Sequence, residues 1–582
     1  MRHVLFSPYT SKLKTALLIK DTGFLTNELI SHYVEPLVSE GISRDSLIGF
    51  TLSYNAKKVS AAHKKEYLID TLLPELDRLG ITTLYCADSE YFKTLAGVTK
   101  ADPNMGYVMD CAIEGYSHMK VTLGVNYQAM AYNPLVKSKL NLSLSTLIKH
   151  VKGSYVDPGC SIIHTAAYPQ SLQEIADALE KLHQYPELTL DIEAFSLKFF
   201  KAGIGTISFS WDQHNGIGFA CDYKATEPTE IQVWDVKDKK FKTRLAYGEQ
   251  VDNPKVKELI KKFLIEYQGV LIYHNCGYDC KVLIYELWMR NLGDYKGMHE
   301  GISVLASKFE DTKLIAYLST NNAVKNELSL KVLAQSFAGN YAEEDIKDIR
   351  MIPLPKLLEY NIVDTLSTWY VFNKYTPIMI AEQQQDLYLT MFKPSVKLLL
   401  QVELVGMPID PGKVQEARKI LEVIVAEHTT YLQNSALIAD YHYTQIMDRV
   451  AADNLKLKKK VRTYEDLAHI KFNPGSDQQL QGLIYDYLGY EVIDVTDSKA
   501  PATGAKTLAK LINHARTDEH REMFEHLIGL GKADKVLTSF IPAFEQAQQL
   551  PDGSWRLYGN FNLGGTQSGR LSSSDPNLQN IR

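Results

Sequence analysis

The sequence predicts a multidomain α/β protein whose middle part rests on a mixed β-sheet with flanking helices, preceded by a second α/β domain and followed by a mainly helical region. Three observations carry this expectation. Glu187-Leu-Thr-Leu-Asp-Ile-Glu-Ala-Phe195 reads as a strand, and Gly203–Trp211, a polar Asp212-Gln-His-Asn-Gly216 turn and Ile217–Cys221 continue it as a β-meander. Between Asn253 and Arg290 an amphipathic helix, a buried strand from Val270 and a helix over Lys281–Arg290 follow one another. Beyond Tyr375-Thr-Pro377 the chain turns dominantly helical through about residue 550.

With 582 residues the chain is too long for one ordinary domain, and length alone suggests about three to five. Hydrophobic residues make up 45% and charged residues 23%, the balance of a soluble globular chain. Lys and Arg number 63 against 69 Asp and Glu, a formal charge of -6, so any contact with nucleic acid must come from local basic surfaces. The six cysteines, at 86, 111, 160, 221, 276 and 280, form neither a disulfide framework nor a Cys-x-x-Cys pair. No signal-peptide core follows Met1, and no stretch reaches the roughly 18 apolar residues of a membrane span. These features fit a reducing, cytoplasmic location, with an infected cell as one setting.

Residues 1–180 are expected to form the first α/β domain, of unassigned role. Ser46–Tyr54 and Ile81–Cys86 read as strands, with a helix over Tyr67–Gly80 between them, and no phosphate loop or dinucleotide fingerprint accompanies them. Asp88-Ser89-Glu90 lies at the end of the second strand and reads as a solvated loop. Ser171 with Glu174 three residues later is a capping box opening a helix.

The middle domain, 181–376, holds the residues that suggest chemistry. Alternation along a strand puts Asp191 and Glu193 side by side on one face. Asp-x-Glu triplets recur by chance in an acidic chain, so the pair gains meaning only from its setting. Asp279 follows a buried strand, where a helix N-terminal carboxylate serves the helix dipole or aims at a site. Tyr360 and Asp364, four residues apart on a helix starting near Lys356, share one face.

In order, Asp191-x-Glu193, Asn275-x-x-x-Asp279 and Tyr360-x-x-x-Asp364 resemble the three motifs of the Asp-Glu-Asp-Asp-Tyr class of 3′→5′ exonucleases. The resemblance implies a ribonuclease-H-like sheet, two divalent ions and removal of nucleotides from a DNA 3′ end. It makes Asp191, Glu193, Asp279 and Asp364 metal ligands, has Tyr360 orient the attacking water, brings Asn275 near DNA, and gives Asp311 no ligand role. Carboxylates suit hard Mg²⁺ or Mn²⁺.

The rest of the chain resembles family A, polymerase-I-like DNA polymerases of phage type. Gln401–Pro411, Phe472–Leu480 and Lys532–Phe540 are similar to segments of the family's thumb, expected over 377–550, and Phe561–Ile581 to its first polymerase motif, the start of the polymerase core over 551–582. This implies primer-template contacts from Arg570, Asn577 and Gln579. The basic run with Lys458, Lys459 and Lys460 reads as a solvated charge run or as a phosphate-tracking segment of the thumb. The family's palm and fingers have no counterpart before Arg582, so polymerisation is expected to need a second polypeptide, with a processivity factor as a further partner. The alternatives are a primer-template-binding scaffold subunit of a split polymerase and a free-standing 3′→5′ exonuclease.

Overall fold

The computed structural model describes all residues except 10–11, 55–59, 133–135, 236–239, 321–326, 341–347, 456–460, 497–498 and 581–582. The chain divides into two units: residues 1–404 with 562–572, and residues 405–561 with 573–582.

Two mixed sheets carry the first unit. Strands β1 (His3–Leu5), β2 (Thr15–Lys20), β3 (Leu47–Leu52), β4 (Thr83–Cys86), β5 (Val108–Asp110) and β6 (Lys120–Leu123) form a sheet in the order β1-β3-β2-β4-β6-β5. The four inner strands are parallel, and β1 and β5 close the edges antiparallel. Such strands are covered on both faces, which is why β3 is buried throughout and β2 nearly so. The expected strands at β3 and β4 are present; β2, the strand between them, was not anticipated. The helix expected from Tyr67 starts earlier, at Ala61, and reaches Arg78 through one wider π-turn.

The second sheet holds β7 (Thr165–Ala167), β8 (Glu187–Glu193), β9 (Thr206–Ser210) and β10 (Asn215–Ala220). The chain then leaves it as a separate two-stranded ribbon, β11 (Tyr223–Asp235) and β12 (Lys240–Gln250), before adding β13 (Val270–Tyr273) and β14 (Phe309–Asp311). The order is β14-β13-β8-β9-β10-β7, with β8 antiparallel to β9 and parallel to β13. The meander forms as expected, but its turn is closed differently. Asp212 Oδ1 accepts the backbone N–H groups of His214 and Asn215 at 2.7 and 2.9 Å, and Asn215-Gly216 already belongs to β10. The capping box at Ser171 opens the helix Leu172–Leu182.

Helices Pro254–Glu266 and Cys276–Leu287 flank β13, and the long helix Leu354–Ala381 lies across β8, β9 and β10. The Cys276–Leu287 helix starts before the expected Lys281, so Asp279 stands in its first turn. Gly218 in β10 makes the long helix's approach possible, because a Cβ there would lie 3.1 Å from Ile362 Cγ1.

The second unit is mainly helical, as expected. Its helices include Pro411–Asn434, Ala436–Asn454, Ala505–Ile512 and Asp518–Lys535, around a core of Leu432, Tyr441, Leu483, Met523 and Phe524. Asp410 caps the first of them by accepting Lys413 N–H at 3.1 Å. A small antiparallel sheet, β15 (Met407–Ile409), β16 (Gln548–Gln549) and β17 (Trp555–Leu557), joins the two ends of this helical stretch.

Asp88-Ser89-Glu90 is spoken for structurally. Asp88 Oδ1 accepts Glu90 N–H and Tyr91 N–H, both at 3.0 Å, as the cap of helix Ser89–Ala96, and Glu90 pairs with Lys64 and Lys93. Asp88→Ala is therefore expected to cost about 1 kcal/mol, read as a lower urea midpoint for the first unit.

Candidate active site

Alternation along β8 buries Leu188, Leu190 and Ile192 on one face and turns Thr189, Asp191 and Glu193 to the other. Opposite them on β9 stand Ser210, Ser208 and Thr206 in register, three small hydroxyl side chains on the same face. The helix Leu354–Ala381 lies down on this row. Asn361 is its centre: the amide oxygen accepts Thr206 Oγ1 at 3.0 Å, the backbone oxygen accepts Ser208 Oγ at 2.8 Å, and Nδ2 donates to Asp191 Oδ2 at 2.6 Å. One turn on, Thr365 Oγ1 meets Ser210 Oγ at 2.6 Å, and Trp369 Nε1 donates to the Ser210 carbonyl at 2.8 Å.

This seam sets Asp364, three residues past Asn361, beside the strand carboxylates. Asp191, Glu193 and Asp364 each offer an oxygen within 4.8 Å of the others. Asp279 reaches the group from the helix after β13 and is 5% exposed. Its carboxylate repels Asp191, Glu193 and Asp364 electrostatically. It stands outside the tight trio.

Desolvation first, and then the charge of neighbouring carboxylates, raises the proton affinity of Asp191, Glu193 and Asp279 well above the ordinary range. Asn361 opposes this at Asp191, and the Lys331 charge opposes it at Glu193. Lys331, on the turn Leu330–Leu333, also places its Nζ 5.9 Å from the Tyr360 ring centroid. Tyr360 is half-buried, one helical turn before Asp364. A close set of repelling carboxylate oxygens matches the donors a hard divalent cation takes, so the residues fit the expected metal.

Asp311 has a different task. One oxygen or the other accepts backbone N–H groups from Asn275, Cys276, Lys313 and Leu314, capping helix Thr312–Ser319 and pinning the start of helix Cys276–Leu287. Asn275 is exposed in the left-handed region (φ 67°), and its Oδ1 accepts Lys313 Nζ at 3.0 Å. Arg570, Asn577 and Gln579 are exposed; Asn577 Oδ1 accepts Gln579 N–H at 3.1 Å. Lys458, Lys459 and Lys460 lie outside the described residues.

Sequence reasoning missed Asn361, Lys331 and the hydroxyl row of β9. Thr206-Ile-Ser-Phe-Ser210 is the trace it leaves: hydroxyls at alternate positions of a strand otherwise built for burial.

A second acidic trio, Asp222, Asp252 and Glu286, is equally close. Here Lys257 Nζ already sits among the carboxylates, at 3.1, 2.6 and 2.6 Å. Burial pushes the Lys257 ammonium toward neutrality, but hydrogen bonds to Asp252 and Glu286 and the charge of Asp222 outweigh it, leaving its pKa well above the ordinary lysine range. This is an ion-pair knot, with a lysine where the other trio has room for a metal.

The model of DNA polymerase family A matches residues 411–582. The chain is 33% identical over 150 residues to DNA polymerase I of Pseudomonas aeruginosa, covering 26% of this chain and 15% of the relative. It is 25% identical over 377 residues to DNA polymerase I of a Synechocystis strain, covering 63% of this chain and 32% of that one. With the DNA polymerase of Bacillus phage SP01 it shares 22% identity over 368 residues, 58% of this chain and 36% of the relative. The two longer matches extend upstream of residue 411. The chain spans little more than a third of these relatives at most. Among the described residues no helix is long and apolar enough to cross a membrane.

The two trios make opposite predictions. Asp364→Asn relieves repulsion and is expected to stabilise the metal-free chain by about 1 kcal/mol, or about 2–4 °C in Tm. The same change should abolish the rise in Tm on adding Mg²⁺ or Mn²⁺. Lys257→Met strands the buried Asp222 and is expected to destabilise by about 3 kcal/mol, with no metal dependence in calorimetry.

Proposed function

We propose that the chain is the proofreading and primer-template-binding portion of a phage-type family A DNA-directed DNA polymerase, and that its first unit hydrolyses the terminal phosphodiester at a DNA 3′ end. The juxtaposition of Asp191, Glu193 and Asp364 carries this reading. The family A match over 411–582 and the polymerase relatives support its setting.

In this reading Asp191, Glu193, Asp279 and Asp364 hold two divalent ions, Mg²⁺ or Mn²⁺, on a ribonuclease-H-like sheet. When bound, such ions supply an activated water and carry charge on the attacking and leaving oxygens. The chain's own residues do the placing. Asn361 holds Asp191 in one orientation through a 2.6 Å bond, and the hydroxyl seam holds the helix that presents Asp364. The Tyr360 hydroxyl, a hydrogen-bonding group at neutral pH, orients the water, and the Lys331 ammonium lies 5.9 Å from its ring centroid. A mispaired end frays at little cost, so a single-stranded 3′ terminus is the natural substrate and proofreading the outcome.

Primer extension belongs in this reading to palm and fingers outside these 582 residues, in the rest of a longer chain or in a second polypeptide. Arg570, Asn577, Gln579 and the basic run at Lys458, Lys459 and Lys460 contribute primer-template contacts; a processivity factor and a cytoplasmic site of action complete the proposal.

A 5′-labelled primer-template incubated with Mg²⁺, its products resolved by length, tests the reading. The parent chain is expected to shorten the primer from its 3′ end. Asp191→Ala should slow this by at least about 10³-fold, and Tyr360→Phe by about 10- to 100-fold. DNA binding with no digestion by the parent would instead favour a scaffold that grips primer-template for a separate catalytic chain.

A further inference from the structure

The first α/β domain touches the stretch 327–340, which carries Lys331, through the loop Asp102–Tyr107 that leads into β5. Gln335 Nε2 donates to the carbonyls of Asp102 and Met105 at 3.0 and 3.4 Å. The Tyr107 hydroxyl accepts Asn340 N–H at 2.9 Å and donates to the Pro158 carbonyl at 3.0 Å, so one oxygen joins three pieces of chain. Tyr155 fastens the chain leaving the domain: its hydroxyl accepts Val108 N–H at 3.0 Å and donates to Asp157 at 2.7 Å.

At Gly339 this joint admits only glycine. The residue holds φ 65° and ψ −141°, and a Cβ there would lie 2.0 Å from the Tyr107 hydroxyl and 2.6 Å from the Pro158 carbonyl oxygen. A Cβ at Gly159 would in turn lie 2.5 Å from the Ala338 carbonyl oxygen. The two backbones come closer here than side chains would allow.

The same stretch is seated on the helix that carries Asp364. Phe337 stacks on Tyr370 with ring centroids 5.0 Å apart, and Ser336 shares a 2.6 Å hydrogen bond with the Tyr370 hydroxyl. Ala338 packs with Val363, the neighbour of Asp364, and Leu333 and Ala334 pack with Val371. His274, just after β13, donates from Nε2 to the Leu328 carbonyl at 3.0 Å. Lys331 lies within this doubly held stretch, its Nζ 5.9 Å from the Tyr360 ring centroid.

We propose that the first α/β domain is a brace for the carboxylate site: Tyr107, Gln335 and the contact of Gly159 with Gly339 fix residues 327–340 against helix Leu354–Ala381 and thereby set Lys331 beside Tyr360. Tyr107 and Gln335 are then positioning residues acting through Lys331, whose ammonium over the ring limits how Tyr360 tilts. That the brace governs hydrolysis rests on the proposed function; that it holds the stretch does not.

The test uses the full chain twice. Hydrogen exchange in EDTA, read by mass spectrometry, follows peptides within 327–340, and digestion of a 5′-labelled single strand in Mg²⁺ gives kcat and KM. Tyr107→Phe with Gln335→Ala is expected to exchange at least about tenfold faster over 333–339, with helix Leu354–Ala381 unchanged. Its kcat should fall about 5- to 50-fold with KM within about twofold of the parent. Lys331→Met should lose as much, and Lys331→Arg, which keeps a cation for the ring, should stay within about threefold of the parent. All three changes together, Tyr107→Phe, Gln335→Ala and Lys331→Met, should be no slower than Lys331→Met alone. Gln335→Ala by itself, at a half-exposed side chain, should show the same changes in smaller measure and serves if the double variant folds poorly.

Unchanged exchange over 333–339 in both variants overturns the brace. Faster exchange with kcat unchanged also overturns it, as do losses that multiply when the joint and Lys331 variants are combined. Faster exchange in a chain whose parent digests nothing removes the nuclease and keeps the hold on 327–340; digestion with unchanged exchange does the reverse.

Discussion

The site depends on a seam of hydrogen bonds between one strand and one helix. Thr206, Ser208 and Ser210 project from β9 into the underside of helix Leu354–Ala381, where Asn361, Thr365 and Trp369 receive or supply the partners. Each bond contributes only about 1 kcal/mol net, but a buried polar group left unmet costs about 1–3 kcal/mol. A slip of the helix by one residue would leave several such groups unmet at once. The seam therefore acts chiefly on register. That matters because what it brings together repels: without it, Asp364 would be driven from Asp191 and Glu193 by charge alone.

The two acidic trios show that composition does not decide the fate of a carboxylate cluster. Asp222 is relieved by Lys257 and also accepts the backbone N–H groups of Ile204 and Asn253 at 2.9 and 3.0 Å. Its knot ties the start of the ribbon to the start of the next helix. Around Asp191 the nearest relief is a side-chain amide and the charge of Lys331 acting on Glu193, and the proton affinities rise accordingly. A protein that tolerates such a cluster keeps a local instability that a bound cation can discharge.

Much of the site was legible because its signals are short-range. Strand alternation sets Asp191 beside Glu193, and helical spacing sets Tyr360 beside Asp364, whatever the rest of the chain does. The seam was not legible, since serine and threonine are unremarkable in strands and acquire meaning only when a helix lies over them. β2 was overlooked although it is among the most buried strands, because a short apolar run without turn signals says little by itself. The meander was read correctly in its strands, while the polar turn between them proved shorter than expected, closed by the Asp212 side chain with Asn215-Gly216 already in β10. The ribbon of β11 and β12 was not anticipated at all. Asp88-x-Glu90 shows the converse, a motif that matched the pattern and turned out to be a cap.

The closed root of the ribbon has one more consequence. Its first and last residues, Tyr223 and Gln250, are paired with each other, and Val251 N–H donates to the Asp222 carbonyl at 2.8 Å, so the chain exits beside the point where it left the sheet. What lies between these residues can change in length without disturbing β10 or helix Pro254–Glu266. The position behaves as a socket: a natural site for insertions to be gained or lost across generations, and a ready graft point at which a reporter or a foreign binding hairpin could be mounted next to the carboxylates.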